Sequence, residues 1–486
     1  LEPKTASFAN AQNERTVLGD VPCDLDKVDG PIHLLGIGGI GMSALARLLL
    51  AQGRMVSGSD KQESEITHQL EELGAIVKIG HKAENAGNAA AIVVSTAITR
   101  ENPELNLALD RNLPIWHRSR VLAALTQGKK LIAISGTHGK TTTTGMVGQI
   151  LIDCGLDPSV VVGGVFARIG ANARSGKGAY FVAESDESDG THAKLDSYMA
   201  VLTNVEEDHL ENYPGGIEQI YRAMESFANR AQHATVICYD DKGCQAVLPH
   251  LKGTVITYGR AQSKSSASLK FENLDGFGLR VYKNEKVLGD LELAIPGEHN
   301  KLNALAAIAV GLELGLTFKD ICASLGQFKG VDRRFQFIGE EKGILVIDDY
   351  AHHPTEIVAT LEAAKQFIKK KQLEGGQSRR LVAVFQPHQP GRLRDFWQEF
   401  CRAFVGADLV LVSDVYVARG GQIEGVNSQK LVAEMDHSNC QYLSGATQDL
   451  AKNLEKHLKD NDLVLTIGAG DITTVGPQLI SLLKRS

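Results

Sequence analysis

The feature that most restricts how this chain can fold is a series of ten short apolar runs: "HLLGI", "AIVVS", "KLIAIS", "YFVAES", "AVLTNV", "TVICY", "ILVIDD", "LVAVFQ", "DLVLVSD" and "DLVLTIG". They are too short for helices, and their continuous rather than alternating Val, Ile and Leu suits parallel strands buried on both faces. Between many of them lie segments with helical spacing, such as "GMSALARLLLAQG", "TTTTGMVGQILIDCG" and "PTEIVATLEAAKQFIKK". Repetition of strand, helix and strand predicts doubly wound α/β sheets. Residues 254–295 are the exception: an Asp-Gly turn between alternating strands predicts a small antiparallel sheet inside the middle domain.

A chain of 486 residues is expected to form two to four domains, each burying its own core. The reading is a polar N-terminal tail over 1–29, followed by three α/β domains over 30–125, 126–332 and 333–486. The first and last are expected to be Rossmann-like, and the central one to be of P-loop type and to carry the small sheet. Lysine and arginine total 51 against 58 aspartates and glutamates, with no block of like charge. That balance argues against a nucleic-acid or membrane-surface binder and for a small-molecule partner. Seven scattered cysteines with no C-x-x-C suggest neither a disulfide frame nor a zinc site, which fits a reducing cytoplasm. The most apolar stretch is crowded with glycine and interrupted by Arg47, so no membrane insertion is expected. Nothing in the sequence fixes an oligomeric state.

In open parallel sheets, ligands bind beyond the carboxyl ends of the strands. Here the apolar runs lead into Gly136-Thr137-His138-Gly139-Lys140-Thr141, Glu184 to Asp189, Glu206 to His209, Asp348 to His353, and Gln386 to His388. Lysine, carboxylates and histidines thus collect on one side of their sheets, which core packing does not require.

Gly36-Ile37-Gly38-Gly39-Ile40-Gly41 matches G-x-G-x-x-G between a strand and a helix, with Asp60 about twenty residues on. NAD is the default ligand, but any nucleotide diphosphate, including a UDP-sugar, meets the same physical demand for backbone N–H groups and a helix N-terminus. A tight turn with no ligand is the bland alternative.

The stretch "AISGTHGKTTTTGM" is nearly a P-loop, although Ile134 stands where the first glycine belongs. The strand, glycine loop, Gly-Lys-Thr and helix nonetheless occur in order, so Lys140 is expected on phosphates and Thr141 on a magnesium ion. Glu184, ending an apolar run, is the best-placed hard-oxygen ligand, while Glu187 and Asp189 are left open between ligand and solvated acidic turn. His209 is a further metal candidate.

Taken together, "GTHGKTTTT", "AESDESDGT", "TNVEEDHLENY", "PGEHNKLNALAA", "DRRFQ", "DDYAHHPTE", "FQPH" and "GAGD" resemble the Mur ligases, in order and over nearly the whole chain. The resemblance implies that ATP, UDP-N-acetylmuramate and L-alanine yield ADP, phosphate and UDP-N-acetylmuramoyl-L-alanine through an acyl phosphate. It implies that Gly36, Gly38, Gly39, Ile40, Gly41 and Asp60 meet the UDP-sugar, and that Gly136, Thr137, His138, Gly139, Lys140, Thr141 and Thr142 surround ATP. It further places His299 and Asn303 at adenine, Arg333 on the phosphates and Asp349 on the ribose. His353, Arg392 and Arg394 fall near the amino acid, and Thr141, Glu184 and His209 on magnesium. Lys140, His209, Arg333 and His353 are the implied catalytic set. Relatives adding later amino acids carry a modified lysine after the Asp-His pair, whereas no lysine occurs here between Asp208 and Lys242, which favours the alanine-adding branch. After "FQPH" the chain departs from the family pattern and reads "QPGRLRD".

Overall fold

The computed structural model describes residues 22–187, 190–208, 212–261, 267–418 and 421–485. All ten apolar runs form strands, and the described residues hold three sheets. The first contains β1 (Ile32–Leu35), β2 (Val56–Asp60), β3 (Ile76–Ile79), β4 (Ala91–Val94) and β5 (Ile115–His117), in the order β3-β2-β1-β4-β5 with every pairing parallel. The strand order reverses between β1 and β4, which opens a crevice beyond the carboxyl end of β1.

The second sheet has ten strands: β6 (Lys130–Ser135), β7 (Ser159–Phe166), β8 (Ala171–Arg174), β9 (Tyr180–Glu184), β10 (Met199–Leu202), β11 (Ala234–Cys238), β12 (Val255–Arg260), β13 (Leu269–Asn273), β14 (Gly278–Lys283) and β15 (Lys286–Glu292). Their order is β15-β14-β13-β12-β11-β10-β6-β9-β7-β8. β6 lies between β9 and β10, parallel to both, so the loop leaving its end meets the ends of two neighbours. The expected small antiparallel sheet is not separate. β12 and β13 pair parallel and continue the main sheet; within residues 254–295 it is β13–β15, joined by short turns, that have the antiparallel connection of hairpins, as β7 and β8 have at the other edge. Alternation identified these strands as half-exposed but carried no information about which neighbour they join.

The third sheet has the order β16-β17-β21-β18-β19-β20, from β16 (Gln336–Glu341), β17 (Ile344–Asp349), β18 (Arg380–Phe385), β19 (Leu409–Val412), β20 (Cys440–Tyr442) and β21 (Asp462–Ile467). It is parallel except for the edge strand β16. β17, β19 and β21 are buried at every residue, and β18 at all but its first, because helices cover both faces. Leu345, Ile347, Phe385 and Leu465 point to one layer of core; Val346, Val384 and Val464 point to the other.

The described chain divides into two compact units. One runs to Glu272 and takes in Arg280–Gly289 and Leu302–Leu325; the other comprises Asn273–Leu279, Asp290–Lys301 and the chain from Gly326. Of the polar opening segment, residues 22–29 include a short turn whose Leu25 is buried and whose Asp26 pairs with Arg54. Among the described residues, no helix is long and apolar enough to cross a membrane.

Candidate active site

β6 delivers its last residue, Ser135, into the turn 136–139, and the helix Lys140–Asp153 starts at once behind it. Gly139 caps that helix in the left-handed region at φ 79°, and a Cβ there would lie 2.5 Å from Asn303 Oδ1. Gly136 has φ 131°, and its Cβ would lie 2.2 Å from Thr203 Oγ1. Both positions therefore require glycine, in backbone conformation and in space. The missing outer glycine is accounted for, because Ile134 is a fully buried strand residue paired with Glu184.

The turn is held by the segment leaving β10. The His138 N–H donates to Asn204 Oδ1 (2.7 Å), and the His138 carbonyl accepts from Thr203 Oγ1 (2.5 Å) and Asn204 Nδ2 (3.0 Å). Thr137 N donates to the Asn204 carbonyl (3.1 Å), and Thr137 Oγ1 accepts from Glu206 N (2.8 Å). Such a clasp fixes the loop before any ligand arrives, which lowers the ordering cost of binding. Lys140 Nζ donates to the Gly136 and Thr137 carbonyls at 2.5 and 3.1 Å and to Glu187 Oε1 at 2.9 Å. Burial works against the ammonium, but the carboxylates of Glu187, Asp186 and Glu184 outweigh it and raise the Lys140 pKa above the ordinary lysine value. The charge is therefore secure at neutral pH.

Thr141 and Thr142 lie in the first turn of the helix and are largely buried, at 7% and 6% exposure; Thr143 and Thr144 are fully buried inside it. Only the first two are placed to meet a ligand. Glu184 closes β9, and its Oε1 accepts from Gly163 N at 2.5 Å. Glu187, left open by the sequence, is 6% exposed and is the counter-ion of Lys140. Proximity to a lysine 47 positions away has no local signature, so pattern reading did not find the pair. Asp189 and His209 lie outside the described residues.

In the first sheet, the turn after β1 draws its hydrogen bonds from the end of β2. Gly36 N and Ile37 N both donate to the Ser59 carbonyl, Gly38 N donates to Asp60 Oδ2 (2.9 Å), and Lys61 N donates to Asp60 Oδ1 (2.7 Å). Asp60 thus shapes the glycine turn. Beneath Ser59 lies a second missed residue, Glu104, fully buried at the start of the helix Pro103–Asp110. Its carboxylate accepts from His33 Nε2 (3.1 Å), Ser59 Oγ (2.6 Å), Lys82 N (3.1 Å) and Asn85 Nδ2 (3.0 Å). Burial opposes its charge, but the hydrogen bonds from His33, Ser59 and Asn85 prevail and lower its pKa to about 2.

The second unit carries the remaining residues. Arg333 has φ 61°, and its guanidinium donates to the carbonyls of Gly468 (2.7 Å) and Gly470 (3.1 Å), lies 3.6 Å from Asp348 and stacks 4.7 Å from the Tyr350 ring. Asp349 is engaged on both oxygens, by Phe335 N at 2.7 Å and by Ala351 N and Thr360 Oγ1 at 2.8 and 3.2 Å; burial raises its pKa to about 6. His353 caps the helix Pro354–Leu373, accepting from Thr355 N at 3.4 Å, and packs edge-on to Phe396. Burial, then the charge of Arg334, lowers the His299 pKa to about 4, so its ring is neutral at pH 7. Arg392 and Arg394 share the short helix Pro390–Asp395, with Arg394 exposed and paired to Asp395.

Two glycine turns, each leaving a parallel strand and opening a helix, define a multidomain α/β protein built around two phosphate-type loops. Comparison with known proteins gives the family. The Mur ligase family catalytic domain matches residues 31–130, the Mur ligase middle domain 134–311, and the Mur ligase glutamate ligase domain 333–470. A UDP-N-acetylmuramate–L-alanine ligase of Geotalea daltonii is 44% identical over 94% of this chain and 98% of its own length. The Myxococcus xanthus protein of that name is 41% identical over 93% and 95%. Among solved structures, the UDP-N-acetylmuramate-alanine ligase of Thermotoga maritima superposes with a TM-score of 0.79 at 29% identity, covering 94% of this chain and all of that one. A murein peptide ligase from Psychrobacter arcticus gives 0.70 at 26% identity, covering 94% and 99%. The chain belongs to the Mur ligase family and has its three-domain fold.

Proposed function

We propose that this chain joins L-alanine to the lactyl carboxylate of UDP-N-acetylmuramate, with ATP converted to ADP and phosphate. The observation that carries the reading is the 44% identity, over nearly the full length of both chains, to a ligase named for that reaction. The geometry is in keeping with it. A carboxylate is a poor acylating agent, and phosphorylation by ATP turns it into an acyl phosphate that an amine can attack. Lys140 is the charged group best placed to stabilise the transferring phosphoryl, because it rises directly from the glycine turn and its ammonium lies against the Gly136 and Thr137 carbonyls. Thr141 and Glu184 supply the hard oxygens that would hold magnesium, and a bound magnesium ion would neutralise charge on the phosphates. Arg333 and Asp349 are assigned to the phosphates and ribose, and His299, neutral, and Asn303 to adenine. The domain limits that go with this assignment are 30–125, 126–332 and 333–486.

Phosphate release tests the reading. With ATP and UDP-N-acetylmuramate present, L-alanine should trigger release, and other amino acids should do so less. A murein peptide that outperforms L-alanine would move the chain to the peptide-adding branch. Release with no dependence on the sugar nucleotide would defeat the assignment.

A further inference from the structure

Arg118 begins the helix Arg118–Leu125 directly after β5, and its side chain reaches Gly41 in the first turn of the helix Ile40–Ala51. A Cβ on Gly41 would lie 2.2 Å from Arg118 Nη1 and 3.4 Å from Cζ. The last glycine of the G-x-G-x-x-G turn thus lets the guanidinium pack directly against the backbone of the helix's first turn.

The backbone N–H groups of that turn already have acceptors within the protein. Gly36 N and Ile37 N donate to the Ser59 carbonyl at 2.8 and 3.0 Å, Gly38 N to Asp60 Oδ2 at 2.9 Å, and Gly39 N to the Gly36 carbonyl at 3.0 Å. Four successive N–H groups that a phosphate loop would offer its ligand are engaged inside the domain. The first turn of the helix remains as the donor for an anion, and Arg118 lies at that turn. Its surroundings are fixed on both sides: Asn172 Nδ2 donates to the Ile40 carbonyl (2.6 Å) and to Ser43 Oγ (2.8 Å), and Lys194 Nζ donates to Ser119 Oγ (3.0 Å). An oxyanion already sits on the guanidinium, since Arg118 Nη2 donates to Asp186 Oδ2 at 3.1 Å, with both side chains partly exposed.

We infer that Arg118 is a ligand of the diphosphate of the sugar nucleotide and exchanges the Asp186 carboxylate for phosphate oxygens when that nucleotide binds. The inference deepens the function proposed above and rests on it. The planar guanidinium fork suits two oxygens of a diphosphate, and at the N-terminus of a twelve-residue helix it adds a full charge to the helix dipole. Asp186, as a competing anion, then acts against binding rather than for it.

Isothermal titration of the full chain with UDP-N-acetylmuramate, UDP, uridine and a non-hydrolysable ATP analogue tests this. Arg118→Ala should weaken UDP-N-acetylmuramate and UDP by about 10- to 100-fold, the range for losing charge-assisted hydrogen bonds, and leave uridine and the ATP analogue unchanged. Arg118→Lys should lie between, because it keeps charge but not the fork. Asp186→Asn should bind UDP at least as tightly as the wild type. Unchanged UDP affinity in Arg118→Ala, or a loss shared equally by uridine, overturns the assignment. So does an Asp186→Asn variant that loses as much as Arg118→Ala, because the pair would then be a structural tie. If Arg118→Ala does not fold, Arg118→Lys and Asp186→Asn carry the same decision. A wild type that binds the ATP analogue but neither UDP nor UDP-N-acetylmuramate defeats the functional reading itself, separately from the role of Arg118.

Discussion

Lys140 Nζ lies 2.9 Å from Glu187 Oε1, in a pair whose side chains are only 15% and 6% exposed. The same ammonium folds back onto the carbonyls of Gly136 and Thr137, so the loop is closed on its own lysine. Lys140→Ala should lower phosphate release by about 10²- to 10³-fold, as for other charge-stabilising donors, while titration shows UDP-N-acetylmuramate affinity unchanged. Wild-type turnover in this variant would remove Lys140 from the reaction.

The pair also makes a stability prediction. Breaking a buried ion pair from one side leaves an uncompensated charge and costs about 3–5 kcal/mol, whereas removing both charges together costs much less. Glu187→Ala alone should therefore lower the urea midpoint clearly, and adding Lys140→Met to it should restore much of the loss. A double variant as unstable as the sum of the singles would mean the two side chains do not interact.

Glu104 is the corresponding anchor of the first sheet. Glu104→Ala would leave donors on His33, Ser59, Asn85 and Lys82 without their acceptor, a loss of about 3 kcal/mol. Its folded pKa is depressed to about 2, so its contribution is present above the ordinary glutamate range and is lost as pH falls through about 2. Acid titration of the wild type and of Glu104→Gln by circular dichroism should show the wild type losing its advantage only in that window.

How much of this was legible in the sequence follows from the range of each interaction. The runs that became β1, β4, β6, β9, β10, β11, β17, β18, β19 and β21 were readable because double-sided burial writes itself as consecutive apolar residues. The loop at Gly136 to Thr142 was readable because strand, turn and helix are contiguous. Glu187, Glu104 and Arg118 were not, since their partners lie 47, 71 and 68 positions away and are joined only by sheet order. Asp60 reads in the sequence as a ligand contact, whereas the structure shows its carboxylate accepting from Gly38 N, a role that the twenty-residue spacing alone does not distinguish.

Gly136 offers a local test of the ATP loop. An alanine there would need φ 131°, and its Cβ would meet Thr203 Oγ1 at 2.2 Å and the Asn204 carbonyl at 2.8 Å. The loop must shift, and with it the Thr203–Asn204 clasp on His138. Gly136→Ala should weaken binding of an ATP analogue by at least about tenfold, with UDP binding unaffected, because the strain falls at the turn alone. Wild-type affinity for the analogue would show that this turn does not enclose the triphosphate.

Two half-buried histidines give the second unit a distinct response to mild acid. Burial, reinforced by Arg334, lowers the His299 pKa to about 4; burial, reinforced by Arg392 and His388 against the pull of Glu356, lowers that of His352 to about 3. Both rings stay neutral in the folded chain while the unfolded chain protonates them near pH 6.5. The folded state then binds fewer protons, so stability is full above about pH 6.5 and falls as pH drops toward 4 and then 3. Asp349 works in the opposite sense, since burial raises its pKa to about 6 and its contribution is lost as pH rises through that value. Two histidines against one carboxylate leave a net loss on acidification, on the order of 3–4 kcal/mol between pH 7 and pH 4. Urea midpoints measured across that range should fall for the wild type and fall less for a His299→Gln, His352→Gln double variant. A wild-type midpoint that stays level, or a double variant with the same slope, would show that these rings titrate as they do in water.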